Sequence, residues 1–70
     1  MAEKMNITCN GAKKEISVGT ILVTFIQRHG LSPDTVIVQC NGDIVPRDAY
    51  ESFILPESCT LELVRFVGGG

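Results

Sequence analysis

The residues of this sequence that most clearly suggest a chemical role are three consecutive glycines, at positions 68–70. Glycine has no Cβ, so such a segment is as thin as a polypeptide can be, and ordering it costs the most conformational entropy. At about 3.3 Å per residue, residues 67–70 span roughly 13 Å when extended. We therefore expect a flexible segment, the carrier arm (67–70), that brings a carboxylate at Gly70 into the active site of another protein. The alternative is an inert frayed end or a linker.

Three cysteines, Cys9, Cys40 and Cys59, are the next candidates for chemistry. Their odd number, wide spacing and lack of a CxxC pair argue against both a zinc site and a disulfide framework. Cys9 and Cys40 stand within apolar alternation, so we expect them to be small core residues. Cys59 stands between a turn and a strand, and no neighbour in sequence suggests a lowered pKa. Free thiols predict a reducing, cytoplasmic setting, and we expect no metal site.

The charged residues exclude several classes of function. Six Lys and Arg against eight Asp and Glu give a net charge of −2, unlike the clustered basic face of a nucleic-acid binder. No apolar run approaches the ~20 residues that cross a bilayer, and the polar residues after Met1 lead us to expect no signal peptide. His29 has no acid or nucleophile near it in sequence, so we interpret it as a cation favoured at a helix C-terminus or as a boundary residue. Neither a P-loop nor a G-x-G-x-x-G motif is present, so ATP has no binding motif here.

The elements that must position the arm begin with a hairpin and a helix. Alternating apolar residues on either side of Asn10-Gly11 predict two antiparallel strands. The second strand is predicted to reach Val18, with the Val18 side chain pointing into the core. Apolar residues at helical spacing then predict a helix from Ile21 to His29. We expect Thr20 to cap that helix with its hydroxyl and Gly30 to end it in a left-handed conformation.

Three further strands follow the helix. The segment 35–40 is rich in β-branched residues, a short segment 44–46 ends at a proline typical of sheet edges, and 60–67 alternates again. Between the last two, Tyr50 and Phe53 are expected to cover the core. One helix must cover one face of a mixed sheet. The prediction is an α+β protein of β-grasp type, with a four- to five-stranded sheet and with residues 1–66 forming the domain. That the first and last strands lie side by side and parallel rests partly on analogy with this fold.

This pattern resembles ubiquitin-like β-grasp proteins over essentially the whole chain. The resemblance is carried by the order of elements, the segment Thr60-Leu61-Glu62-Leu63-Val64 and the closing Gly69-Gly70. More narrowly, the segment 41–47, Asn-Gly-Asp-Ile-Val-Pro-Arg, is similar to the N-x-x-x-V-P-R segment of the sulfur carriers of thiamine biosynthesis. Gly68 departs from that family, in which a small apolar residue commonly precedes the diglycine. At Val23-Thr24 the helix lacks the acidic residue expected from the family.

The resemblance implies a carrier that is acted upon and is not itself an enzyme. A partner of the ubiquitin-activating type would use ATP and magnesium to adenylate Gly70, and sulfur from a partner's cysteine persulfide would displace AMP. The resulting thiocarboxylate would donate its sulfur to thiazole synthase. The chain itself would need no cofactor. Alternatives are a sulfur carrier for molybdopterin or cysteine synthesis, a modifier joined to lysines through Gly70, and an interaction domain with an inert end.

A partner-binding face follows from the alternation of side chains across the sheet. If Val36 and Val38 face the helix, Ile37, Val64 and Phe66 point away from it and form an apolar patch on an open face. Scattered surface hydrophobes are the alternative. Arg65 is a candidate to pair with acidic groups at the mouth of a partner's channel, or is only solvated. We expect a monomer when the chain is free.

Overall fold

The computed structural model describes residues 3–65; residues 1, 2 and 66–70 lie outside that range. The elements are β1 (Lys4–Cys9), β2 (Ala12–Ser17), α1 (Leu22–Arg28), β3 (Val36–Cys40), β4 (Asp43–Val45) and β5 (Thr60–Arg65). Short 3₁₀ turns occupy Pro33–Thr35 and Arg47–Ala49. The predicted carrier arm and the boundary after residue 66 lie outside the described residues. Of the helices in residues 3–65, none is long and apolar enough to cross a membrane.

The five strands form one mixed sheet in the order β2-β1-β5-β3-β4. β1 and β5 run parallel, with Thr8 opposite Thr60, whereas the other neighbouring pairs are antiparallel. The predicted pairing of the first and last strands is therefore confirmed, and so is the β-grasp fold. The last strand in sequence is the middle strand of the sheet.

The core lies between one face of this sheet and α1. Leu22, Phe25 and Ile26 are the buried helix residues, and they pack against inward residues of the strands. Those strand residues are Met5, Ile7, Cys9, Val36, Val38, Cys40, Val45, Leu61 and Leu63. Tyr50 is buried and Phe53 is partly buried against the same cluster, as the sequence predicts.

Two local predictions at the start of α1 are wrong. The residue before the helix is Ile21, and no side chain caps it. The Thr20 hydroxyl instead donates a hydrogen bond to the Ser17 carbonyl at 2.6 Å, so it closes the turn between β2 and the helix. Val18 is 53% exposed, because β2 ends at Ser17 and Gly19 turns the chain with φ of 90°. The alternation therefore stops one residue before Val18.

The end of α1 follows the prediction. Gly30 adopts φ of 72°, the left-handed conformation that stops a helix, and the Leu31 amide donates back to the Ile26 carbonyl at 3.2 Å. His29 follows the last helical residue. Its Nδ1 lies 2.9 Å from the Phe25 carbonyl oxygen, and its ring centroid lies 4.3 Å from that of Phe25. These contacts give His29 a structural role at the helix end.

Candidate partner-docking face

Two of the predicted partner-binding residues face each other on the open side of the sheet. Ile37 of β3 pairs directly with Val64 of β5 in antiparallel register, so their side chains lie on the same face. Ile37 is 38% exposed and Val64 is 53% exposed. The prediction that both point away from the helix is confirmed.

Ile44 of β4 joins this face and was not identified from the sequence. It pairs with Gln39 and is 66% exposed, the largest exposure among the large apolar residues of 3–65. The Asn41-Gly42 turn contains the signal that was missed. A two-residue turn sets Asp43 opposite Cys40 and so sets Ile44 opposite Gln39, on the same face as Ile37. We call Ile37, Ile44 and Val64 the docking face.

Two residues of the docking face, Ile37 and Val64, lie at the end of the sheet where β5 finishes, whereas Ile44 lies farther back on the edge strand, beside Gln39. Farther back along the same face, the β3–β5 pairs become polar, since Gln39 lies opposite Glu62. Within the docking face, the Ile37–Val64 pair therefore adjoins Arg65, the last described residue of β5, and Ile44 does not. A partner covering this face would contact the chain just before the carrier arm begins.

Arg65, also a predicted partner-binding residue, lies on a different face of the sheet from Ile37 and Val64. It pairs with Val36, so the strand alternation assigns it to the opposite face of the sheet from Val64, and it is exposed there. Phe66, Gly68, Gly69 and Gly70 lie outside the described residues, so the roles assigned to them stay predictions.

Arg47, the last residue of the segment 41–47, braces the start of β3. Its Nε donates to the Pro33 carbonyl at 3.1 Å and its Nη2 to the Val36 carbonyl at 3.3 Å. The buried Tyr50 hydroxyl donates to the same Val36 carbonyl at 2.9 Å. Since Val36 lies opposite Arg65, these bonds support the end of the strand pair that carries the docking face.

The three cysteines are free and buried in the core. Burial raises the pKa of each thiol, and it raises the pKa of Cys59 to about 11, with a smaller contribution from the neighbouring Cys40. A thiol with a raised pKa is a poor nucleophile near neutral pH. The structure therefore gives Cys59 the features of a core residue. Within residues 3–65, no group of three His, Cys, Asp or Glu side chains is placed to hold a metal ion.

Within residues 3–65, the mixed sheet with β5 in the middle, the covering helix α1 and the β1–β2 hairpin define a ubiquitin-like β-grasp protein. The model of the ThiS family matches residues 3–70. The chain belongs to that family, which confirms the resemblance drawn from the segment 41–47 and the closing glycines.

Similar proteins agree with this assignment. The chain is 35% identical over 66 residues to a thiazole synthase of Magnetococcus marinus, and 29% identical over 66 residues to a thiazole synthase of Paramagnetospirillum magneticum. Each alignment covers 94% of this chain but only 20% of the relative, so the chain spans about a fifth of the length of these curated relatives.

Two solved structures of a thiamine biosynthesis protein (ThiS) from Geobacter metallireducens share the fold. The crystal structure has a TM-score of 0.79 at 23% identity and covers 94% of this chain and 100% of that one. The solution NMR structure has a TM-score of 0.75 at 23% identity, with coverage of 94% and 88%.

Proposed function

We propose that the chain is a sulfur carrier of thiamine biosynthesis and that the sulfur is carried on the carboxyl group of Gly70. The observation that carries this proposal is the ThiS family match, which extends through all three glycines to residue 70. In this proposal the chain is the substrate of its partners and performs no catalysis of its own.

The chemistry begins from a carboxylate, which is a poor electrophile. One carboxylate oxygen attacks the α-phosphorus of ATP, pyrophosphate leaves, and an acyl-adenylate forms. A sulfide sulfur then attacks the acyl carbon and AMP leaves, giving the thiocarboxylate. If the sulfur arrives as a protein persulfide, attack forms an acyl disulfide, and a second thiol cleaves its S–S bond to release the thiocarboxylate. ATP and magnesium are bound by the adenylating partner.

Two partners follow from this chemistry: an adenylating enzyme of the ubiquitin-activating type and a thiazole synthase that accepts the sulfur. The curated relatives support the second. In two proteins named thiazole synthase, a segment similar to this chain makes up about a fifth of the polypeptide. A carrier joined covalently to the enzyme it supplies has a high effective concentration there.

The docking face supplies the contact for both partners in this proposal. Ile37, Ile44 and Val64 are exposed and apolar, and Val64 immediately precedes the last described residue of β5, so a partner that covers this face would hold the arm beside its own active site. Phe66 would extend the apolar contact, and Arg65 would pair with acidic groups at the channel mouth. The three buried free thiols favour a reducing compartment such as the cytoplasm.

The direct test is the intact mass of the chain after incubation with an adenylating enzyme, ATP, magnesium and hydrosulfide. We expect the mass to rise by the difference between a sulfur and an oxygen atom, and only when ATP is present. A variant lacking Gly69 and Gly70 should keep its fold and show no rise. No rise in the full chain would overturn the proposal. Isopeptide conjugates on lysines of other proteins would instead indicate a protein modifier.

A further inference from the structure

Asn10 stands where β1 leaves the sheet, but its side chain remains bonded to β5. The Asn10 backbone amide donates to the Leu61 carbonyl at 2.9 Å. Its side-chain Oδ1 accepts from the Leu63 amide at 2.8 Å, and its Nδ2 donates to the Leu63 carbonyl at 3.3 Å. One side-chain amide thus satisfies both backbone groups of a single residue 53 positions away in sequence.

This arrangement replaces two bonds of the parallel ladder. In a regular parallel pair, the Leu63 amide and carbonyl would bond to backbone groups of the neighbouring strand. β1 has already turned away, since Asn10 and Gly11 have φ of 50° and 83°, and its register with β5 ends at Cys9 opposite Leu61. The Asn10 side chain therefore extends the support of β5 by two residues.

Leu63 is also the last residue of β5 that is hydrogen-bonded on the side facing β1. Within residues 3–65, no residue of β1 is in register with Arg65, and only β3 pairs with it, through Val36. The hydrogen bonds from Asn10 therefore lie two residues before the end of β5, on the edge where the ladder has finished.

We propose that Asn10 is a positioning residue for the chemistry at Gly70: by holding Leu63, it orders the end of β5 as far as Arg65, the last described residue before the arm. This rests on the proposed function. The turn does not by itself require the amide, because glycine adopts positive φ at this position without strain. The hydrogen bonds of Asn10 within residues 3–65 go to Leu61 and Leu63 and to no docking-face residue, so we expect it to act through β5.

Asn41 provides a matched control at the other end of β5. It also has a positive φ, 52°, and its Oδ1 accepts from the Thr60 amide at 2.9 Å. Asn10→Gly and Asn41→Gly therefore make the same chemical change, keep the same backbone region and loosen opposite ends of one strand. Both variants should lose stability, and only the first should disturb the arm.

The test measures binding and turnover separately, with the adenylating enzyme, ATP and the full chain. For Asn10→Gly we expect an unchanged Kd and a rate of acyl-adenylate formation at saturation lowered about tenfold, since small misplacements of a reacting group cost up to about 10²-fold. Asn41→Gly should keep the wild-type rate. Asn10→Asp, which retains the acceptor for the Leu63 amide, should fall between.

A second readout needs no partner. Backbone ¹⁵N relaxation of the free chain should show a lower order parameter at Arg65 in Asn10→Gly than in the wild type or Asn41→Gly. Wild-type turnover by Asn10→Gly, or equal loss of turnover in both glycine variants, would overturn the positioning role. If the wild-type chain is never adenylated, the proposed carrier function fails. Equal order parameters at Arg65 in the wild type and both glycine variants would then also overturn the proposal that Asn10 positions the end of β5.

Discussion

The docking face predicts that Val64→Glu abolishes tight binding of the adenylating enzyme while the domain stays folded. Val64 is 53% exposed and lies opposite Ile37, so a partner covering both would remove about half of the valine surface from water. Burying a whole valine side chain stabilises by about 1.5–3 kcal/mol, which makes the partner's share roughly 1 kcal/mol.

The glutamate adds a second cost, because its carboxylate must lose water against an apolar surface. Leaving a polar group unsatisfied in this way costs about 1–3 kcal/mol, and more for a charge. The two terms sum to about 2–4 kcal/mol, and each 1.4 kcal/mol is tenfold in Kd. We therefore expect binding to weaken about 30-fold or more. In the free protein the side chain stays in water, so the free energy of unfolding should change by less than about 1 kcal/mol.

The assay is isothermal titration calorimetry with the adenylating enzyme, alongside thermal unfolding of each variant. Lys13→Glu is the matched control. It places a new carboxylate on the same open face of the sheet, on β2, two strands away from β5 in the sheet order. Its Kd should remain near that of the wild type. A Val64→Glu protein that melts like the wild type and binds within twofold of it would refute the docking face.

Three further predictions concern the domain itself. Tyr50→Phe removes one of the donors to the Val36 carbonyl, so we expect a loss of about 1 kcal/mol in thermal or urea unfolding, and a loss near zero would contradict the brace. Gly30→Ala should cost about 1–2 kcal/mol because its φ is 72° and no atom lies within 4 Å of the added Cβ; Gly30→Asn should cost less, and equal costs would contradict a conformational origin. Since folding raises the pKa of Cys59 from 9.0 to about 11, its contribution to stability is complete below pH 9 and is lost as the pH rises to 11. Urea unfolding at pH 8, 9.5 and 11 should show this fall, less steeply in Cys59→Ala, and identical slopes would refute the assignment.

Features that depend on a residue's near neighbours could be predicted from the sequence. Alternation in β3 and β5 correctly placed Ile37 and Val64 on the open face, and Gly30 ended the helix as expected. The central position of β5 is a long-range property, and it came from the resemblance to a known fold; periodicity alone does not determine which strands pair.

The predictions that failed or were missed have different physical origins. Thr20 has the right residue type for a helix cap, but the Ser17 carbonyl competes for its hydroxyl, and nothing in the composition reveals which partner is closer. Ile44 could have been found, because the Asn41-Gly42 turn sets its register. Asn10 could not, since its partner Leu63 becomes a neighbour only after the sheet has formed.

The central position of β5 makes the order of synthesis matter. The β1–β2 hairpin and the β3–β4 hairpin have no shared edge until residues 60–65 insert between them. A nascent chain stopped before that point has two unjoined half-sheets with open edges, which are vulnerable to proteolysis and aggregation. The domain can therefore fold only after synthesis has reached β5, the strand that precedes the glycines. Because the docking face is shared between β3, β4 and β5, it forms only in molecules whose synthesis has reached that strand.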